Sequence, residues 1–297
     1  MKKSFLVFLC IILTLFALWS CAQKPADSSS TTPKVTTEPS SGLEPGDHVT
    51  KEYYENGVLK KEETITVNIY HVIQKSDVKL YREDGSLEKH TVYKLGTGND
   101  LVVFTEEIFF ENEKTEKYIE YYTDGVIKIQ SVYNENGTLK SCAKNYINGN
   151  PESKAVYDEN GVAQKYCTYY TNGNKKEEKT LVDGMDNIIL YYSEDGKLAR
   201  REEFYANEKN DYKERTNYDE DGKISEWVSF YEEKDGAGVK EHKQYYLGTE
   251  QVYQHVTYYP STGEGERCKK LIRYNEDGSI QLYEEYDING NLIGSPE

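Results

Sequence analysis

Glycine returns along this chain at nearly constant intervals, with steps of 12, 12, 12, 12, 11 and 12 residues from Gly125 to Gly196. Twelve residues hold one strand of about eight residues and a short turn, so two steps make a hairpin unit of about 24 residues. A lone hairpin has no second surface against which to bury a core, so such units become stable only when stacked on their neighbours. The rhythm predicts an all-β fold, an elongated antiparallel meander of repeated β-hairpins. At about 4.8 Å per strand, an open sheet of this kind would run on the order of 90 Å.

The turns divide into two expected classes. "YNENG" (133–137) and "YDENG" (157–161) place three residues between Tyr and Gly and predict a type I turn with a G1 bulge. "YING" (146–149) and "YTNG" (170–173) place two and predict a two-residue type I′ turn at the Asn-Gly pair. Between turns the residues alternate, so Ile224, Val228 and Phe230 fall on one face and Ser225, Trp227, Ser229 and Tyr231 on the other. One face is therefore expected to be moderately apolar. The 28 Tyr and 8 Phe suit a half-exposed sheet in which rings stack across strands and hydroxyls reach water. Tyr169, Tyr170, Trp227 and Tyr231 are the candidate binding surface on these grounds. Residues 92–118 are more apolar and have fewer clear turns, which predicts a cap or a lengthened hairpin. Cys142 and Cys167 sit one residue out of step relative to Gly137 and Gly161, which places them on opposite faces; with Cys268 they read as small strand residues.

The N-terminal segment has a different character. Lys2 and Lys3 precede an apolar run at 5–19, shorter than the roughly 20 residues that a spanning helix needs, so 1–20 reads as an export signal. "LWSC" (18–21) is similar to the lipobox of bacterial lipoproteins. That resemblance implies cleavage before Cys21, acylation of Cys21 and anchorage in a lipid bilayer. Residues 21–47 then form a Ser/Thr/Pro-rich tether spanning roughly 30 Å, and 48–297 form the hairpin-repeat domain. Residue 22 is Ala, not the Asp that marks inner-membrane retention in familiar lipoproteins, which points to an outer membrane or the cell surface.

"YYENGVLKKE" (53–62), "YYTDGVIK" (121–128), "YNENGTLKS" (133–141), "YYTNGNKKEE" (169–178) and "YYSEDGKLARRE" (191–202) resemble the MORN repeat variant family, bacterial arrays of YYxNGxLK hairpins. The likeness covers nearly all of 50–293. It implies an extended sheet that contacts proteins or membranes, some members being antitoxin-like, and it implies no shared catalytic residue. The segment 274–293 also looks like the tyrosine-aspartate repeats of Rhs-type shell proteins.

Charge and motifs narrow the chemistry further. With 36 Lys and Arg against 52 Asp and Glu the formal net charge is −16, and loss of Lys2 and Lys3 with a leader makes the chain more acidic still. Nucleic acid is thereby excluded as an expected partner, because its binding requires clustered cations. The histidines His48, His71, His90, His242 and His255 show no metal-ligand spacing. "NYDEDG" (217–222) matches the first half of a calcium loop, but position 228, where the loop needs Glu, is Val228, and a hairpin turn accounts for the same residues. No nucleophile elbow or phosphate loop occurs in context. The expectation is a non-catalytic, lipid-anchored envelope protein with no cofactor or metal, binding a protein partner through its sheet. The alternatives are an immunity protein that occludes a toxin, and a protein that binds or hydrolyses envelope glycans.

Overall fold

A computed structural model describes residues 42–96, 98, 100–206, 211–261 and 265–295, all within the compact unit Val35–Glu297. The expected signal peptide, Cys21 and most of the tether lie outside these residues. The described chain forms a 20-stranded sheet. Its strands are β1 Gly46–Tyr53, β2 Leu59–Val67, β3 Ile73–Tyr81, β4 Leu87–Leu95, β5 Leu101–Phe109, β6 Thr115–Tyr121, β7 Ile127–Tyr133, β8 Leu139–Asn145, β9 Pro151–Tyr157 and β10 Ala163–Tyr169. They continue as β11 Lys175–Val182, β12 Met185–Tyr192, β13 Leu198–Phe204, β14 Tyr212–Tyr218, β15 Ile224–Phe230, β16 Val239–Tyr245, β17 Val252–Tyr259, β18 Arg267–Tyr274, β19 Ile280–Tyr286 and β20 Leu292–Gly294. Each strand pairs antiparallel with the one before and the one after, so the sheet is one open meander. Apart from an approach of β3 to β5, strands among the described residues touch only their sequence neighbours. There is no α-helix among them, only a short 3-10 turn at Glu233–Asp235.

The two expected turn classes prove to be one. At 134–138 the Asn134 N–H donates to Thr138 O (2.9 Å), the Gly137 N–H donates to Asn134 O (2.8 Å), and Gly137 has φ 92°. At 146–150 the same pair of bonds runs from Tyr146 to Asn150 O (2.8 Å) and from Gly149 to Tyr146 O (2.9 Å), and Asn148 does not take positive φ. Both are five-residue connections with a G1 bulge, and the pairing shifts by one residue beside each, as between Val132 and Tyr133. Counting from Tyr had misaligned them: Tyr146 corresponds to Asn134, the first turn residue, and not to Tyr133, the last strand residue. A true two-residue turn occurs once among these glycines, where Val182 pairs with Met185 across Asp183 (φ 51°) and Gly184 (φ 79°). Positive φ at both central residues is the type I′ signature, and the shorter loop is the source of the single 11-residue step.

With the turns aligned, every letter of YYxNGxLK acquires a task. The first Tyr faces the Leu or Ile after the turn, as in Tyr53 with Leu59 and Tyr121 with Ile127. The second Tyr opens the turn and donates its hydroxyl to the backbone carbonyl that ends the strand two positions along. Tyr122 reaches Asn145 O (2.9 Å), Tyr146 reaches Tyr169 O (3.0 Å) and Tyr170 reaches Tyr192 O (2.9 Å). Tyr205 donates likewise to Phe230 O, Tyr231 to Tyr258 O one residue before the end of β17, and Tyr259, the last residue of β17, to Tyr286 O. The Asn closes the turn, Asn136 Oδ1 accepting the Thr138 N–H (2.8 Å) while its Nδ2 donates to Glu159 O in the next turn on that side (3.0 Å). The Lys lies over the second Tyr, Lys128 5.9 Å from the Tyr122 ring and Lys176 5.9 Å from Tyr170, a cation–π contact worth about 0.5–1 kcal/mol at an exposed site.

The expectation of one apolar face is corrected. Direct pairing carries Ile119, Cys167, Thr216 and Ile272 along one face and Ala155, Ile189, Glu202, Val228 and Val256 along the other, and all of these are buried. With no second layer, burial comes from side chains on adjacent strands, and long Lys, Arg and Tyr stems cover both faces alike. No side chain among the described residues is completely enclosed. Residues 92–118 form a lengthened hairpin: β4 and β5 are nine-residue strands, with Leu101 and Val103 buried. Cys142, Cys167 and Cys268 are free thiols, with Cys142 and Cys167 on opposite faces.

Candidate binding surface

Among these repeats one block departs from the rest in composition. Arg82 apart, every arginine of the chain lies from Arg200 to Arg273, and Trp227, the one tryptophan besides Trp19, lies among them. The strands concerned are β13 to β18. Arginine and tryptophan dominate contact energies wherever proteins meet, because both offer a flat, rigid, amphipathic surface.

On one face, pairing brings Tyr191, Arg200, Asn217, Glu226 and Gln244 into a single row. The Arg200 guanidinium lies 4.1 Å from the Tyr191 ring centre, and its Nε is 3.2 Å from Glu202 Oε1. Tyr191 donates its hydroxyl to the other oxygen of Glu202 (3.1 Å). Burial raises the Tyr191 hydroxyl above the ordinary tyrosine range, against the hydrogen-bonding pull of Arg200. Glu202 is 4 % exposed, the one buried carboxylate among the described residues, and its two oxygens are met by Arg200 and Tyr191 instead of by water. Two strands on, Glu226 collects Asn217 Nδ2 (2.6 Å) and His242 Nε2 (2.8 Å), with Arg215 at 3.8 Å.

The opposite face carries a second row, Thr216, Trp227, Lys243 and His255. The Lys243 ammonium sits 4.8 Å from the Trp227 ring and 3.0 Å from Glu241, and His255 Nε2 is 2.7 Å from the same carboxylate. Burial works to raise the Glu241 carboxyl, but the hydrogen bond and charge of Lys243, joined by His255, outweigh it and hold the group below the usual range. Burial pushes His255 below the ordinary histidine range, in opposition to Glu241.

The four aromatic residues expected to form a surface are not brought together. Tyr169 is buried at the end of β10, the hydroxyl of the adjacent Tyr170 is engaged on Tyr192 O, and Tyr231 is engaged on Tyr258 O. Trp227 alone stands mid-strand on an open face, five strands from Tyr169. Arg200, Glu202, Arg215, Glu226 and His242 escaped the alternation pattern, although the confinement of arginine to 200–273 was a visible signal. The "NYDEDG" segment is built as a turn: Asp219 accepts the N–H groups of Asp221 (3.0 Å), Lys223 (2.8 Å) and Gly248 (2.8 Å), and these bonds hold its carboxyl below the usual range. The acidic tip at 158–160 is likewise a turn, Asp158 accepting from Asn160 and Val162.

No protein-family model matches the chain, and no curated protein does. Among solved structures, the chain is similar to one titled TcdB2-TccC3-Cdc42 at 9 % identity, covering 83 % of this chain and 18 % of that one with a TM-score of 0.15. A porin-like protein from Bacteroides uniformis is 11 % identical, with 78 % and 91 % covered and a TM-score of 0.17. A Bacteroides fragilis protein of unknown function is 12 % identical, with 56 % and 88 % covered and a TM-score of 0.15. The chain spans less than a fifth of the first of these chains, and at these TM-scores the likenesses carry no argument about function.

Proposed function

We propose that this is a non-catalytic repeat protein, held at the outer membrane or surface of a bacterial envelope by an acylated Cys21, whose sheet binds a protein partner through β13 to β18. The observation that carries the reading is the confinement of Trp227 and all arginines but Arg82 to that block of an acidic chain. Tyrosines at the turns are consumed in holding repeats together, whereas Arg200, Arg215, Trp227 and Lys243 stand mid-strand and hold no turn. Their charge is set off against Glu202, Glu226 and Glu241, so the surface presents paired charges and aromatic planes. Such a surface suits a broad protein contact. The MORN-variant resemblance supports the same reading.

The test is site-specific photocrosslinking in intact cells, with the probe at Gln244 in one strain and at Lys140 in another. The reading expects one or a few protein adducts from Gln244 and none from Lys140, with loss of the Gln244 adducts on Arg200→Glu. Equal labelling at the two positions would refute it. Cys21→Ala is expected to move the protein out of the detergent phase. Hydrolysis of any member of a panel of envelope glycans would overturn the non-catalytic assignment.

A further inference from the structure

Six Asn-Gly pairs sit at turn tips: 56–57, 136–137, 148–149, 160–161, 172–173 and 289–290. Asn-Gly is the dipeptide most open to spontaneous deamidation, because glycine leaves the following amide nitrogen unhindered. What differs among these pairs is how the asparagine side chain is held. Asn136, Asn148 and Asn172 each accept the N–H of the residue two along (2.8, 3.0 and 2.9 Å), and each donates to a carbonyl of the next turn on the same side (3.0, 3.0 and 2.9 Å). Asn160 makes neither bond among the described residues, although its tip is equally exposed. Both losses have a cause. Asp158 has taken over the closing role, its Oδ1 accepting from Val162 N–H (2.8 Å), and the next turn on that side is the shortened one at Asp183–Gly184.

We infer that Asn160 is the deamidation site among the interior tips of the folded array; Asn289, where Asp287 likewise accepts the closing N–H groups, is the corresponding tip at the end. The Gly161 nitrogen, after giving its proton to solvent, bonds to Asn160 Cγ; the Cγ–Nδ2 bond then breaks as Nδ2 takes a proton from solvent and leaves as ammonia, giving a five-membered imide. Water then opens either imide carbonyl, leaving aspartate or isoaspartate at this position. The backbone offers no competing explanation, since the glycine N–H bonds at 137, 149, 161 and 173 all span 2.8–3.0 Å. The side chains of Asn136, Asn148 and Asn172 must break two hydrogen bonds to rotate into reach, and Asn160 breaks none. At about 1 kcal/mol net per bond, Asn160 should react on the order of tenfold faster or more. Each event adds a carboxylate beside Asp158 and Glu159, and the isoaspartate product also lengthens the backbone inside a turn that depends on Gly161 at φ 82°.

The experiment ages the folded full-length protein in mildly alkaline buffer and follows each tip by peptide mapping with mass spectrometry. The expected result is conversion at Asn160 well ahead of Asn136, Asn148 and Asn172, and near-equal rates for all four in denaturant. Asn289, at the end of the array, is left out of the comparison because end fraying acts on it as well. Asp158→Ala provides the second arm: it returns the Val162 N–H to Asn160, so conversion there should slow several-fold while Asn148, held by a turn on the other side of the sheet, is unchanged. Equal rates at the four interior tips in the folded protein, or no slowing in Asp158→Ala with the fold intact by circular dichroism, would overturn the inference.

Discussion

The middle of the array, β6 to β12, and its C-terminal block, β13 to β19, are held by the same tyrosine bond placed on opposite sides. In the middle, Tyr122, Tyr146 and Tyr170 stand at the turns that follow even-numbered strands; in the C-terminal block Tyr205, Tyr231 and Tyr259 stand at those that follow odd-numbered ones, joined by Tyr246 on the other side. The changeover coincides with the two-residue turn at Asp183–Gly184, beside a cavity of about 80 Å³ lined by Val182, Met185, Tyr205 and Ala206 among others. Either side of the sheet can thus carry the fastening, provided that one does. The middle can then be dressed in small residues such as Ser131, Cys142, Ala143 and Ala155, while β13 to β18 carry the arginines and Trp227.

The largest expected disturbance is to the turn shared by both blocks. Gly161→Val forces a β-branched residue to φ 82° with its Cβ 3.6 Å from Thr138 Cβ, and should cost about 2–3 kcal/mol in urea unfolding. Removal of one fastening is smaller: Tyr146→Phe and Tyr231→Phe should each cost about 1 kcal/mol, and equal costs would establish that the two sides are equivalent. A fastening can also be added. Phe110 opens a turn of the same build, and Phe110→Tyr would direct a hydroxyl to Tyr133 O, gaining up to about 1 kcal/mol. Glu113 occupies the glycine position of that turn at φ 60°, so Glu113→Gly should stabilise by about 0.5–1 kcal/mol.

The smallest effect distinguishes the blocks by pH. His255 titrates below its unfolded value of about 6.5, so the unfolded chain binds the proton first and stability falls as pH drops through that range, while nothing changes well above it. Glu241, held low, adds a further loss that begins as pH falls through the ordinary carboxylate range and is complete below its folded value. His255→Gln should flatten the first part of the acid limb of a stability-versus-pH curve, and an unchanged limb would remove His255 from the account.

Much of the framework was legible in residue order. The glycine rhythm implied the meander, and the one-residue offset between Cys142 and Cys167 placed them on opposite faces because a pleat has period two. The 11-residue step at Gly184 was equally visible, but its meaning required knowing that the other turns are all longer. Tyrosine's role was hidden for a different reason: a bond from Tyr146 to a carbonyl 23 residues away leaves no trace in local alternation. Nor does alternation reveal that the Tyr170 and Tyr231 hydroxyls are committed, since half-exposed rings with committed hydroxyls look in sequence like free ones.

Strand-to-neighbour contact has a temporal corollary. A sheet that never joins distant parts of its chain can be laid down in the order in which the residues emerge, each new strand finding its partner already in place. Were the protein threaded through a narrow pore from its N-terminus, the first hairpins could close while the last were still on the other side, and passage and folding would run as one directional process.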